Sequence, residues 1–219
     1  NCGPVTLAID VSTFTCTEVG ANNVILTVTD ANSNTSTATA VVTVADIISP
    51  TAIAKNITVN LDALGNATIV AADVNNGSSD NCGPVTLAID VSTFTCTDIG
   101  ANNVILTVTD ANSNTSTATA VVTVADIASP TAIAQNITVN LDALGNATIV
   151  AADVNNGSAD NCTSVTLAAS PTAFTCSNIG TNNVTLTVTD GSGNTSTAVA
   201  VVTVADIASI CNGKCYVVC

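Results

Sequence analysis

Asn103-Val-Ile-Leu-Thr-Val-Thr-Asp-Ala-Asn-Ser-Asn-Thr-Ser-Thr-Ala-Thr-Ala-Val-Val-Thr-Val-Ala125 is the stretch that decides the fold class. Its flanks are β-branched runs of period two, and Asp110-Ala-Asn-Ser-Asn114 between them consists of turn formers. The stretch therefore reads as a hairpin of two strands, Asn103–Thr109 and Ser116–Ala125. Alternation points Val104, Leu106 and Val108 inward and Ile105 outward. The equivalent stretch further along tests this: Val184, Leu186 and Val188 are retained, and the outward Ile is replaced by Thr185.

That recurrence extends through the chain with a period of 80 residues. Asn1–Pro50 and Asn81–Pro130 differ only at Glu18/Asp98, Val19/Ile99 and Ile48/Ala128. Thr51–Asp80 and Thr131–Asp160 differ only at Lys55/Gln135 and Ser79/Ala159. From Asn161 the third copy drifts but holds the frame to about Ile207. Within a period, Thr131–Asp142 reads as a strand, Ala143–Asn146 as a turn and Ala147–Ala152 as the next strand. Asp153–Asp160 is a loop of turn formers, and Val85–Ile89 and Thr93–Cys96 are two shorter strands. No stretch has helical periodicity. Six or seven short strands per period predict an all-β fold of tandem immunoglobulin-like β-sandwich repeats. Strands of about ten residues at about 3.3 Å rise give units about 30–40 Å long. Repeats joined end to end predict a rod-like array.

The Asp-Ile-x-Ser-Pro-Thr segments serve as linkers, with Pro50 and Pro130 stiffening them. They divide the chain into an incomplete first repeat (1–46), complete repeats at 47–126 and 127–206, and a cysteine-rich tail (207–219). The first repeat lacks the two opening strands of the others, and half a sandwich cannot bury its own inner face. Either upstream residues of a longer precursor complete it, the preferred reading, or another chain supplies the strands.

Composition narrows the function. Of 219 residues 47% are hydrophobic, 2% aromatic and 8% charged, with no His, and two basic residues face sixteen acidic ones for a net charge of −14. A phosphate backbone finds nothing to neutralise it, which excludes nucleic acid. Anionic membrane surfaces are equally disfavoured, no apolar run is long enough for a helical span, and cations are the natural small partners. Without His for general-base work or a basic residue in each repeat to stabilise an oxyanion, catalysis is not expected.

The nine cysteines fall into two groups. Cys2/Cys16, Cys82/Cys96 and Cys162/Cys176 recur fourteen residues apart, one pair per repeat, and predict one disulfide within each repeat in an oxidising, extracellular setting. Cys211, Cys215 and Cys219 lie in the tail, where an odd thiol is available to link chains; zinc or redox chemistry is the alternative. Phe94, two residues from Cys96, reads as core filler.

Three motifs in order, Asp80-Asn-Cys-Gly-Pro-Val-Thr-Leu, Phe94-Thr-Cys-Thr-Asp-Ile-Gly100 and Val108-Thr-Asp-Ala-Asn-Ser-Asn-Thr-Ser-Thr117 leading into Val121-Val-Thr-Val-Ala-Asp126, resemble the hyalin repeat (HYR). They look most like its versions in giant surface adhesins of gliding, flavobacteria-like bacteria. The resemblance covers each full repeat and not the tail. It implies an immunoglobulin-like or fibronectin-III-like fold, a role in adhesion or surface structure, and no catalytic residues.

Two further sets of residues are candidate sites. The linker carboxylate Asp46 is expected near Asp73, Asp80 and Asp110, and Asp126 near Asp153, Asp160 and Asp190, forming oxygen-only clusters suited to Ca²⁺. The alternative is that these residues only form turns. Asn56, Asn66, Asn76, Asn114, Asn136, Asn146, Asn156 and Asn194 fit the N-glycosylation pattern, although many such matches arise by chance in so Asn/Thr/Ser-rich a chain. The function expected is a structural module of an extracellular filament or cell-surface stalk, with copies of itself as partners. An adhesin array binding a glycan or protein ligand directly is the alternative.

Overall fold

The computed structural model describes residues 3–206. Cys2, Cys211, Cys215 and Cys219 lie outside them, as does the tail. The first repeat forms a three-stranded sheet of β1 (Thr6–Ile9), β2 (Gly20–Thr29) and β3 (Thr35–Val44), in the order β1-β2-β3. The second contributes β4 (Ile57–Asn60), β5 (Asn66–Thr68), the single helical turn α1 (Ala71–Val74), β6 (Thr86–Ile89), β7 (Thr93–Thr95), β8 (Gly100–Thr109) and β9 (Thr115–Ala125). The third contributes β10 (Ile137–Asn140), β11 (Asn146–Thr148), β12 (Thr166–Ser170), β13 (Ala173–Thr175), β14 (Gly180–Thr189) and β15 (Thr195–Ala205). Each complete repeat is a four-stranded sheet, β4-β9-β8-β6 or β10-β15-β14-β12, with a two-stranded one, β5-β7 or β11-β13. This is the all-β, immunoglobulin-like sandwich repeat expected.

The long hairpin is the backbone of each repeat. β14 and β15 pair antiparallel from Gly180↔Val204 to Thr189↔Thr195. β12 flanks β14 antiparallel, and β10 runs parallel to β15 over Ile137↔Val202 to Asn140↔Ala205. Inward residues from both layers meet in one core, with Leu141, Ile149, Val154, Phe174, Val184, Leu186, Val188 and Val202 all buried. In the second repeat Val104, Leu106 and Val108 are fully buried and Ile105 is 43% exposed, as alternation requires, while Phe94 is buried in the core.

The opening strands are shorter than the sequence reading gave. Of Thr131–Asp142 only Ile137–Asn140 joins a ladder; Thr131 and Ala134 make single bridges to Ala159 and Asn155. β11 is Asn146–Thr148, starting one residue before the expected segment Ala147–Ala152 and covering only its first two residues. Helical turns also occur: α1, and 3₁₀ turns at Ala151–Val154 and after β7 and β13. They are local caps, each started by a side chain three residues on that accepts from the backbone.

By backbone proximity the chain divides into two compact units. One comprises residues up to Ile57, Ile69–Ser92 and Asn103–Val122; the other comprises Thr58–Thr68, Thr93–Asn102 and everything from Thr123 onward. Each unit thus contains one linker and the loops that gather around it.

Candidate functional site at the repeat junctions

The disulfides correct the sequence reading. Cys16 bonds Cys82 and Cys96 bonds Cys162, each across 66 residues and from one repeat to the next. The expected pairs Cys2/Cys16, Cys82/Cys96 and Cys162/Cys176 therefore do not form, and Cys176 is disulfide-bonded otherwise. The third repeat shows the reason. Cys162 precedes β12, whose first residue, Thr166, lies opposite Thr189 at the end of β14. Cys176 lies just before Gly180, the start of β14. The two thus sit at opposite ends of a strand about 30 Å long, whereas a disulfide needs Cα atoms within about 7 Å. The bonded pairs have Cα atoms 5.0 Å apart.

Beside each disulfide lies a cluster of carboxylates. Asp46, Asp80 and Asp110 bring one carboxylate oxygen each within 4.8 Å of one another, and Asp126, Asp160 and Asp190 do the same. The local backbone positions every member. The Asp46 carboxylate accepts from the Ile48 N–H at 3.1 Å, and Asp80 from the Cys82 N–H at 2.7 Å. Asp110 accepts from the Asn112 and Asn114 N–H groups and from the Asn114 amide, each at 2.8 Å. The same Asn114 amide donates to the Asp46 carbonyl at 3.1 Å, tying the final hairpin to the linker. Asn194 repeats this between Asp190 and the Asp126 carbonyl.

These turn bonds account for only part of the carboxylate capacity. Asp46 Oδ2, Asp80 Oδ1 and Asp160 Oδ1 are buried and have no hydrogen-bond partner. Burial opposes ionisation of Asp110 and Asp190, yet the hydrogen bonds from Asn114 and Asn194 outweigh it and hold both carboxyls below the usual carboxylate range. Among the described residues the members of both clusters are all acidic. At an effective dielectric constant near 20, two such charges repel by about 3 kcal/mol. The donor set is all oxygen, which fits a hard cation such as Ca²⁺ and has none of the Cys or His donors of a structural zinc site.

Asp73 and Asp153 do not join the clusters. Their carboxylates turn back to accept from the Val70 and Val150 N–H groups, both at 2.8 Å, and cap the helical turns that follow. Asn114 and Asn194 are likewise unsuited to glycosylation, since the amide nitrogen of each makes two hydrogen bonds within the junction. The other sequon asparagines, Asn56, Asn66, Asn76, Asn136, Asn146 and Asn156, are exposed. The turn read at Ala143–Asn146 is present there and at Asp62–Asn66 one repeat earlier; what sequence reasoning missed is that Gly65 of the latter packs against the Cys96–Cys162 bridge.

No helix among the described residues is long and apolar enough to cross a membrane. No family model and no curated protein matches the chain. Among solved structures it is similar to a protocadherin gammaB7 EC3-6 cis-dimer, at 14% identity over 94% of this chain and 68% of that one, with a TM-score of 0.37. It is also similar to titin domains I67–I69, at 9% identity over 84% and 75%, TM-score 0.44. Mouse clustered PcdhgC3 EC1-3 matches at 12% identity over 85% and 77%, TM-score 0.36. At these identities and TM-scores the likenesses carry nothing about the role of the chain.

Proposed function

We propose that this chain is a structural module of an extracellular filament or cell-surface stalk, with no catalysis, whose successive repeats are fastened to one another at their junctions. The units are residues 47–126 and 127–206, preceded by the partial repeat 1–46 and followed by the tail 207–219. The observation that carries the reading is the disulfide pattern: each described bridge joins two repeats and not two strands of one. Such a bond resists separation of neighbours along the chain, which is the requirement on a load-bearing array, and it needs an oxidising compartment. The hyalin-repeat resemblance, with its bacterial surface adhesins, supports the same setting.

Within that reading the clusters Asp46/Asp80/Asp110 and Asp126/Asp160/Asp190 hold Ca²⁺, and the six exposed sequon asparagines are the candidate sites for glycan. An intact mass above 21.5 kDa after full reduction tests the glycan. For the module itself, proteolysis without reduction is expected to release Cys16 joined to Cys82 and Cys96 joined to Cys162. Negative-stain microscopy of the purified material is expected to show uniform filaments. Recovery of peptides joined fourteen residues apart, or single particles that bind a glycan array, would count against the structural reading and favour an adhesin that binds its ligand directly.

A further inference from the structure

The loop that follows each Ala-Ala-Asp-Val helical turn holds an Asn-Gly step, Asn76-Gly77 in the second repeat and Asn156-Gly157 in the third. No other Asn among the described residues is followed by Gly. The anchors of the loop lie around that step. Asn75 Oδ1 accepts from the Ser78 N–H at 3.0 Å, and the Ser78 hydroxyl accepts from the Ile53 N–H at 2.9 Å. Ser79 pairs with Thr51 through backbone bonds of 2.7 and 3.1 Å, and the Asn76 N–H donates to the Ile53 carbonyl at 2.8 Å. Asn155, Asn156, Ser158 and Ala159 repeat this set of bonds.

The anchors leave over the Asn76 side-chain amide and the Gly77 N–H. Both residues are exposed, and neither group makes a hydrogen bond among the described residues. Gly77 stands at φ +84° and Gly157 at +81°, and a Cβ placed on either would meet nothing within 4 Å. An amide carbonyl carbon and an uncommitted nitrogen one residue on thus share an open turn, with no side chain on the second residue to obstruct them. Comparable steps elsewhere are tied down. The Ser113 N–H after Asn112 donates to the Asp110 carbonyl at 3.4 Å. The Asn66 amide donates to the Leu64 carbonyl at 3.2 Å. The Gly191 N–H after Asp190 is held by the Thr163 hydroxyl at 2.8 Å.

We infer that Asn76-Gly77 and Asn156-Gly157 are sites of spontaneous deamidation, a covalent self-modification whose only co-reactant is water. The Gly77 nitrogen, having lost its proton to hydroxide, attacks the Asn76 side-chain carbonyl carbon. The bond from that carbon to the amide nitrogen breaks, the nitrogen takes a proton from water and leaves as ammonia, and a succinimide ring remains. Water opens the ring at either carbonyl, giving aspartate or isoaspartate. Each event adds a carboxylate to a chain already at −14, and isoaspartate also adds a methylene to the backbone of the loop. The bonds of Asn75, Ser78 and Ser79 involve none of the reacting atoms, so the loop keeps its anchors. A glycan would occupy the same side-chain nitrogen, so each residue takes one modification or the other. The inference rests on the loop and not on the extracellular role, so its failure leaves that role untouched.

The test is peptide mapping by mass spectrometry of the full 219-residue chain, made in a host without N-glycosylation and aged in the folded state at mildly alkaline pH. Peptides covering Asn76 and Asn156 are expected to gain the mass difference between amide and acid, divided between aspartate and isoaspartate, and to do so faster as pH rises. They are expected to convert about tenfold faster or more than Asn112 and Asn66, a tenfold rate being a small difference in barrier. In Asn76→Gln with Asn156→Gln, where the longer side chain disfavours the ring, both peptides are expected to keep their amides. A sample aged in denaturant gives the rates without the fold. Equal conversion at Asn112 and Asn76 overturns the inference. So do unchanged amides at both sites while the denatured chain converts there.

Discussion

Thr15 and Glu18 hold one another across a single turn just outside the first bridge. The Thr15 N–H and hydroxyl both donate to Glu18 Oε2 at 2.6 Å, and the Thr17 hydroxyl donates to Oε1. The Thr15 hydroxyl bond, followed by that of Thr17, lowers the Glu18 pKa from 4.5 to about 2. A carboxylate depressed in this way contributes stability that is fully present above 4.5 and is lost as pH falls from there toward 2. In Thr15→Val the Glu18 midpoint, followed by NMR, is expected to rise toward 4.5; an unmoved midpoint would assign the shift elsewhere. Gly65 offers a second test at this scale. Its φ is +76°, and an added Cβ would overlap Cys96 Sγ and lie 3.1 Å from Cys162 Sγ. Gly77, at φ +84°, has open space at the same position. Gly77→Ala is expected to lose about 1 kcal/mol from backbone strain alone, and Gly65→Ala about 1 kcal/mol or more beyond that, because the bridge must move. Equal urea midpoints for the two variants would contradict the close packing of Gly65 on the disulfide.

At the scale of elements, legibility followed the length of the pattern. The hairpin strands β8 and β9 are ten and eleven residues long with burial alternating along both, and the inward set was readable from Val104, Leu106 and Val108. The opening strands gave a weaker signal. Thr131–Asp142 has strand composition throughout, but only four of its residues lie in the ladder; the rest cross over the core held by single bridges, which alternation cannot distinguish from a strand. The carboxylates Asp46, Asp80 and Asp110 were placed together because the connectivity brings the linker, a loop and the last hairpin to one end. Asp73 was misplaced because a carboxylate three residues into a turn serves its own backbone first. The cysteines failed for a reason of symmetry: a repeat that puts two of them fourteen apart within a unit also puts two of them 66 apart across a junction, so spacing alone cannot choose. The longer loop matters energetically. Closing 66 residues constrains the unfolded chain by about 4 kcal/mol, against about 3 for a fifteen-residue loop. Cys96→Ala paired with Cys162→Ala is therefore expected to lower unfolding stability by about 2–4 kcal/mol in chemical denaturation. Full reduction of the parent, which also opens the Cys16–Cys82 bridge, should lower its stability at least as far. A parent whose stability is indifferent to reductant would show that the bridge constrains nothing.

For the whole molecule the dominant quantity is a net charge of −14 carried on so few ionisable side chains that its placement matters. Most carboxylates are dispersed over turns, where solvent and salt screen them. Six are not: they are gathered in two clusters at the linkers, with buried oxygens that hydrogen bonding leaves over, and two of the six are held ionised. Asp110 and Asp190 thus stay charged near neutral pH, and a cation bound as proposed would relieve the repulsion around them. It would neutralise charge where two repeats meet, so that its binding energy appears as stability of the junction. A cation at one hundred times its dissociation constant stabilises the state that binds it by about 2.7 kcal/mol per site, enough to move a domain of this size by about 5 °C or more. Scanning calorimetry in millimolar Ca²⁺ is expected to give a higher unfolding midpoint than in EDTA, at ionic strength held high enough to screen the dispersed charges. Asp46→Asn together with Asp126→Asn should abolish most of that difference and raise the midpoint in EDTA, because removing one charge from each cluster relieves the repulsion the metal would otherwise offset. Asp73→Asn, which alters a local cap outside the clusters, should lower the midpoint equally in both buffers. If the parent unfolds at the same temperature with and without Ca²⁺, the clusters are turns and nothing more, and the junctions are held without a metal, by their disulfides and the Asn114 and Asn194 hydrogen bonds.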